Sequence, residues 1–264
     1  MRRFLISALL MLCALCACSV PERPGKKPVS PLPELSVEEL LEGQRRCERL
    51  VSSLRGLSRA TLQEDGRSPG KSSQALLVQW PASARVEILG LMGQPALVTA
   101  SDGPGLFAMD ISHRAFYEGK ASAENLDRLV RLHLEPAELV RLILMRPVLP
   151  KASRLKVSAL TDGYLASGVT QNGETVYLRF DSRRHLIKIT YFEHGKTRLD
   201  VEYGAFRDFA LAGETVAFPT HWQVAFPARK TRVTLQMDKP ELNAPLAERL
   251  FHLEAPQGFR REAL

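Results

Sequence analysis

The spacing of apolar residues changes character several times along the chain, and each change predicts an element. Phe4 to Leu15 is an apolar run broken only by Ser7 and Cys13, too short to stay in a bilayer as a spanning helix. Val20 to Leu35 is proline-rich and mixed in charge, the composition of an extended tether. From Ser36 the spacing becomes helical: Leu40, Cys47, Leu50, Val51 and Leu54 share a face. Glu39, three residues after Ser36, completes a capping-box signature. These signals predict a helix from Ser36 to about Leu54.

From Ala60 the period falls to two. Ala75–Trp80, Ala84–Leu89, Leu97–Ala100, Leu106–Asp110 and His113–Glu118 read as strands. Two short apolar-faced helices follow, one around Asn125–Leu132 and one around Leu139–Leu144, split near Pro136. A meander closes the chain: Tyr164–Thr170, Thr175–Phe180, Leu186–Tyr191, Thr197–Tyr203, Phe218–Phe226 and Thr231–Met237. Asn172-Gly173 and His194-Gly195 supply its hairpin turns. The predicted class is mainly antiparallel β with α: about eleven strands in a curved sheet whose concave side is filled by three helices. Three short helices hardly cover such a sheet, so an apolar cavity is expected between the layers.

Composition narrows the class without naming a function. The 264 residues are 45% hydrophobic and 25% charged, as in an ordinary globular chain. The formal charge of +7 falls to about +5 if Arg2 and Arg3 are removed, too modest to argue for nucleic acid. Met1-Arg2-Arg3 followed by the apolar run makes a secretory signal. Its end, Leu15-Cys16-Ala17-Cys18, resembles a bacterial lipobox, with Cys18 as the lipidated residue. The expected organisation is a signal peptide over 1–17, a lipidated N-terminus and tether over 18–35, and one domain over 36–264. A lipoprotein cysteine of that kind carries several acyl chains, which hold durably where one would not. Ser19, not an aspartate, follows it, which favours the outer membrane. Cys47 is then left alone in the body, with no partner for an internal disulfide, and reads as a core residue.

No catalytic constellation is legible, and no metal or other cofactor is expected. The six histidines are scattered, with no pair at ligand spacing, and there is no nucleophile elbow or phosphate-binding glycine loop. Glu38 and Glu39 sit where a helix start favours negative charge, and Asp65, Asp102 and Asp162 precede glycines as turn residues. Arg45, Arg46 and Arg49 read as a solvated helix face, and Trp80 and Trp222 as packing. A non-enzymatic role is expected.

One segment is hard to explain by folding alone. Gly90-Leu91-Met92-Gly93-Gln94-Pro95 is a turn by its glycines and proline, yet its centre is large and apolar. Either Leu91 and Met92 fold back onto the core, or they form an exposed tip that enters a membrane or touches an acyl chain.

Several stretches, taken in order, resemble the family of the outer-membrane lipoprotein receptor LolB and its soluble partner LolA. They are Arg85–Leu89 running into Leu91-Met92-Gly93, Asn125-Leu126 with Glu138–Pro147, Ile189–Tyr191 with His194–Lys196, Val201–Gly204, and Phe218-Pro219 with Arg232–Asp238. The resemblance implies an incomplete, half-open β-barrel with a helical lid around an apolar cavity for acyl chains. It also implies a monomer that takes lipoproteins from a soluble LolA-like periplasmic carrier and places them in the outer membrane. Met92 occupies the place of that family's apolar loop tip, with Leu91 the alternative. The tail after Asp238 and the segment around Arg207–Glu214 depart from the pattern. A structural or docking lipoprotein of the outer membrane, using the same fold, is the alternative role.

Overall fold

The computed structural model describes residues 32–264; the expected signal peptide, Cys18 and most of the tether lie outside the described residues. Helix α1 spans Val37–Leu50 and opens with the expected capping box: the Glu39 N–H donates to Ser36 Oγ, and the Ser36 N–H donates to the Glu39 carboxylate at 2.8 Å. It ends four residues before the expected Leu54. Asn243, from far along the chain, is the reason. Its Nδ2 donates to Leu50 O at 2.6 Å while its Oδ1 accepts from Ser52 N–H at 2.8 Å, which turns the chain into a strand. Leu54 is fully buried all the same, as a strand residue.

The first sheet half is β1 (Ser53–Glu64), β2 (Arg67–Gln79), β3 (Ser83–Leu89), β4 (Pro95–Ser101), β5 (Gly105–Asp110) and β6 (Ala115–Lys120). Helices α2 (Ala123–Val130) and α3 (Pro136–Ile143) follow. The second half is β7 (Lys156–Ala159), β8 (Gly163–Val169), β9 (Thr175–Asp181), β10 (Leu186–Glu193) and β11 (Lys196–Gly204). A separate hairpin, β12 (Arg207–Leu211) with β13 (Glu214–Phe218), precedes β14 (His221–Phe226), β15 (Thr231–Met237), the short β16 (Glu241–Leu242) and β17 (Arg260–Ala263).

Fifteen strands form one sheet in the order β17-β6-β5-β4-β3-β2-β1-β15-β14-β11-β10-β9-β8-β7, with β16 beside β1. It is mixed: β17 runs parallel to β6 and every other pairing is antiparallel. The two ends, β17 and β7, do not meet, so the sheet is open and does not close into a barrel. Seventeen strands among the described residues exceed the expected eleven. The additional ones are β1, β7, β12, β13, β16 and β17. The expected strand Phe218–Phe226 is broken at Pro219, which ends β13 and lets β14 begin afresh at His221.

The main core joins the inner sheet face to α1 and α3. Leu40, Leu41 and Cys47 of α1 and Val140, Leu142 and Ile143 of α3 pack with Leu76, Leu178, Phe180, Val201 and Trp222. A smaller core lies on β4–β6, where Val98, Ala100, Phe107 and Phe116 pack under Leu253 of the tail. The long tail is therefore a cover for sheet residues that water would otherwise reach. Among the described residues both cores lie within one compact unit, the organisation of a domain that could fold alone. The hairpin β12–β13 packs against α1, where Glu214 pairs with Arg46 (3.4 Å) and Arg49 (3.2 Å). Arg45 and Arg49 are exposed and Arg46 partly so, on the solvated face expected, and two of the three also pair with this hairpin. Trp222 is buried as expected, whereas Trp80 is only partly buried, with the Arg141 and Arg146 guanidinium groups 5.1 and 4.6 Å from its ring.

Candidate functional site: an apolar cavity and a protruding turn

Antiparallel pairing brings many turns to one end of the sheet. Asp65-Gly66, Gly90–Gln94, Ile111–Arg114, Asn172-Gly173, His194-Gly195 and Pro227–Lys230 all lie there, while Trp80–Ala82, Asp102–Pro104 and Thr220 lie at the other. Within the turn after β3, Gly90 N–H donates to Gln94 O at 2.8 Å and Gly93 N–H donates back to Gly90 O at 3.0 Å. Gly93 takes a φ of +81°, which a side chain would strain. The backbone alone holds this turn. Leu91 and Met92 are 107% and 90% exposed, so neither folds back onto the core. Ile111, in the adjoining turn of neighbouring β5, is also exposed.

Below this end, between β1–β5 and the pair α2–α3, is a cavity of about 330 Å³. An engineered apolar cavity of about 150 Å³ suffices for benzene, so this space has room for a considerably longer apolar group. Its sheet wall includes Leu62, Val86 and Ile88, and its helical wall Leu126, Leu129 and Leu139. Arg131, left-handed at φ +60° where α2 ends, stands exposed on its lining. The sequence expected a cavity between these layers but did not single out the residues that shape it.

Ion pairs tie the helices over this space. Arg229 in the β14–β15 turn holds Asp127 of α2 at 2.6 Å. Arg198 of β11 bridges Glu138 of α3 (2.9 Å) and Glu174 (2.6 Å), and lies over the Tyr191 ring. Burial would lower the Arg198 pKa, but the two carboxylates outweigh it and raise it, so the guanidinium stays charged. Deeper in the body, Tyr203 Oη donates to Leu142 O at 3.0 Å. Burial raises the Tyr203 hydroxyl far above its ordinary value and pushes the Cys47 thiol up to about 12, so both stay neutral. Helix α3 is thus anchored in the core, whereas the ion pair to α2 is the more exposed link.

Among the described residues no cluster of three or more His, Cys, Asp or Glu side chains could hold a metal ion. None of the helices described is long and apolar enough to cross a membrane. A second pocket of about 280 Å³, between α1 and the β12–β13 hairpin, is mixed: Arg183, Arg184 and Asp208 line it beside Leu186, Phe206 and Val216.

No family model matches the chain, and no curated protein matches it in sequence. Solved structures do. A LolA superfamily protein from Nitrosomonas europaea superimposes with a TM-score of 0.57 at 13% identity, covering 83% of this chain and 99% of that one. A DUF1329 family protein from Desulfovibrio piger gives 0.54 at 9% identity, covering 83% and 98%. A putative outer-membrane lipoprotein-sorting protein domain from Vibrio parahaemolyticus gives 0.50 at 9% identity, covering 82% and 97%. The likeness is one of fold. It spans nearly the whole of those proteins and places the open sheet with its helices among LolA-like folds.

Proposed function

We propose that this protein is an envelope lipoprotein that holds acyl chains in the cavity under α2 and α3 and takes part in placing lipoproteins, or lipids, in the outer membrane. The observation that carries the reading is the apolar cavity of about 330 Å³ between sheet and helices. The fold it shares with a lipoprotein-sorting domain and a LolA superfamily protein supports the same reading. Cys18, by its lipobox, anchors the chain on the periplasmic face of the outer membrane, and Leu91 and Met92 act as the apolar tip that meets the bilayer or an incoming acyl chain. The chain then works as a LolB-like receptor for a soluble LolA-like carrier. Transfer needs no nucleotide or metal: burial of apolar surface contributes about 25 cal/mol per Å² and is reversible, so chains move down a gradient of affinity.

The test is to incubate residues 20–264 with a carrier–lipoprotein complex from the same organism and follow labelled lipoprotein. Movement onto this protein is expected. A Met92→Glu variant is expected to accept the lipoprotein and fail to deliver it to vesicles. No movement onto a folded protein sinks the receptor role and favours the docking lipoprotein.

A further inference from the structure

The cavity wall holds a polar group that an acyl chain alone does not explain. Gln74 lies on the inner face of β2, opposite Ser58 of β1 and Ile88 of β3, and is only 8% exposed. It lines the cavity, and among the described residues its carboxamide has no hydrogen-bond partner; only its backbone carbonyl accepts a bond, a long one from Ser58 Oγ at 3.4 Å. Unlike Gln44 Oε1, Arg146 Nε and Trp222 Nε1, which are orphaned inside the packed protein, the Gln74 carboxamide stays open to the cavity space. Once a chain fills that space, an amide left without a partner costs free energy that a leucine or methionine of similar size would not. The position is not a general polar tolerance of the strand. Further along the same face, Leu76 and Val78 are buried and apolar. The change comes where the strand leaves the packed core and becomes cavity wall, with Ser72 and Gly70 next to Gln74.

We propose that Gln74 recognises the carbonyl of an acyl ester or amide, so that the site selects acylated ligands over plain alkyl chains. The inference rests on the acyl-binding reading above and adds the linkage to the tail. The carboxamide nitrogen donates to the ligand carbonyl, which has no donor of its own, while the hydrocarbon lies against Val86, Leu126 and Leu139. Replacing the carbonyl by a methylene removes the acceptor at that position and leaves the donor, enclosed by the bound chain, only the displaced ether oxygen of the linkage, which is how polar sites disfavour analogues that lack a group.

Two ligands that differ at one group decide the matter: 1-monopalmitoylglycerol, an ester, and 1-hexadecylglycerol, its ether analogue. Each competes with a fluorescent fatty-chain reporter for residues 20–264, in the wild type and in Gln74→Met. The wild type is expected to favour the ester about fivefold or more. Gln74→Met is expected to bind ester and ether alike, to keep the wild-type affinity for the ether, and to melt at or above the wild-type temperature. Equal binding of the two by the wild type, a comparison that needs no variant, overturns the inference and leaves the acyl cavity standing. A preference that survives in Gln74→Met, or a Gln74→Met protein that melts well below wild type, also overturns it. Displacement by neither ligand defeats the acyl-binding reading itself, and this inference with it.

Discussion

Replacing Leu91 and Met92 together by serine separates membrane contact from folding, because the structure gives the two side chains no folding role. Both are essentially as exposed as in an unfolded chain, and the turn that carries them is closed by backbone bonds through Gly90 and Gly93. The double variant should therefore match the wild-type stability to within about 0.5 kcal/mol. The effect on membrane binding is larger. Fully burying a leucine or methionine side chain contributes about 1.5–3 kcal/mol, so complete insertion of both gives about 3–6 kcal/mol. Partial insertion worth only about 2 kcal/mol is still roughly a thirtyfold change in partition. Serine adds no charge, so the difference reports apolar burial and not repulsion from anionic lipid. The assay is co-sedimentation of residues 20–264, which lack the anchor, with phosphatidylethanolamine–phosphatidylglycerol vesicles, beside a thermal melt. Equal partition of variant and wild type refutes the insertion argument. A melting temperature lowered by many degrees refutes its premise, since it means the side chains pack in the folded protein.

Other residues give equally direct tests. Ser36→Ala removes the side-chain acceptor of the capping box and should cost about 1 kcal/mol, seen as a fall of roughly 2–4 °C in a melt. Asp127→Asn cuts the 2.6 Å pair that ties α2 to Arg229; a pair this exposed is worth up to about 1 kcal/mol, so a bound reporter should leave up to about fivefold faster in stopped flow with little change in melting. Burial raises the Asp102 carboxyl, but hydrogen bonds from His252 and the Gly105 N–H outweigh it and hold its pKa below the ordinary 3.8. A group depressed on folding stabilises above its unfolded value and loses that contribution as pH falls through the folded one. Acid melts from pH 5 to pH 2 should therefore be shallower in His252→Ala than in the wild type, and parallel curves would show that the pair does not hold the tail. Cys47, buried and with its thiol at about 12, should resist a thiol reagent at pH 8 until denaturant is added.

The elements legible in the sequence are those whose signal is local. Asn172-Gly173 and His194-Gly195 mark hairpins because left-handed backbone is needed there, and the structure places Gly173 at φ +83° and His194 at +49°. Ser36 with Glu39 marks the start of α1 for a similar reason. The end of α1 was not legible, since the group that ends it is Asn243, some two hundred residues away. The hairpin β12–β13 turns at Ala212-Gly213, where an alanine adopts φ +49° against its own preference. No turn rule selects that pair. Strands β16 and β17 are short, and β17 exists only because Arg260–Ala263 align beside β6 once the tail has been drawn across Phe107 by Leu253.

The cavity wall was hidden for a different reason, and that reason bears on function. Inner positions of β1 and β2 read Leu54, Gly56, Ser58, Ala60, Leu62 and Gly70, Ser72, Gln74, Leu76, Val78. Apolar alternation, the usual mark of a half-buried strand, is present only at the ends that touch the packed core or the rim. Gly56 is required by close packing: a Cβ there would meet Met237 Sδ at 3.0 Å and Lys239 O at 3.1 Å. Ser58, Ala60, Gly70 and Ser72 are small side chains where a filled core would want branched ones, and Gln74 is polar. A strand that lines a cavity must give up the bulk that makes strands visible in sequence, because each large apolar side chain would occupy the space a ligand needs. Stretches flanked by clear strands, paired in good register, and yet poor in inward bulk are therefore where a binding site in such a sheet is to be sought. By that criterion the segments 60–62 and 70–74 mark the cavity wall, whereas Gly56, small for packing alone, does not.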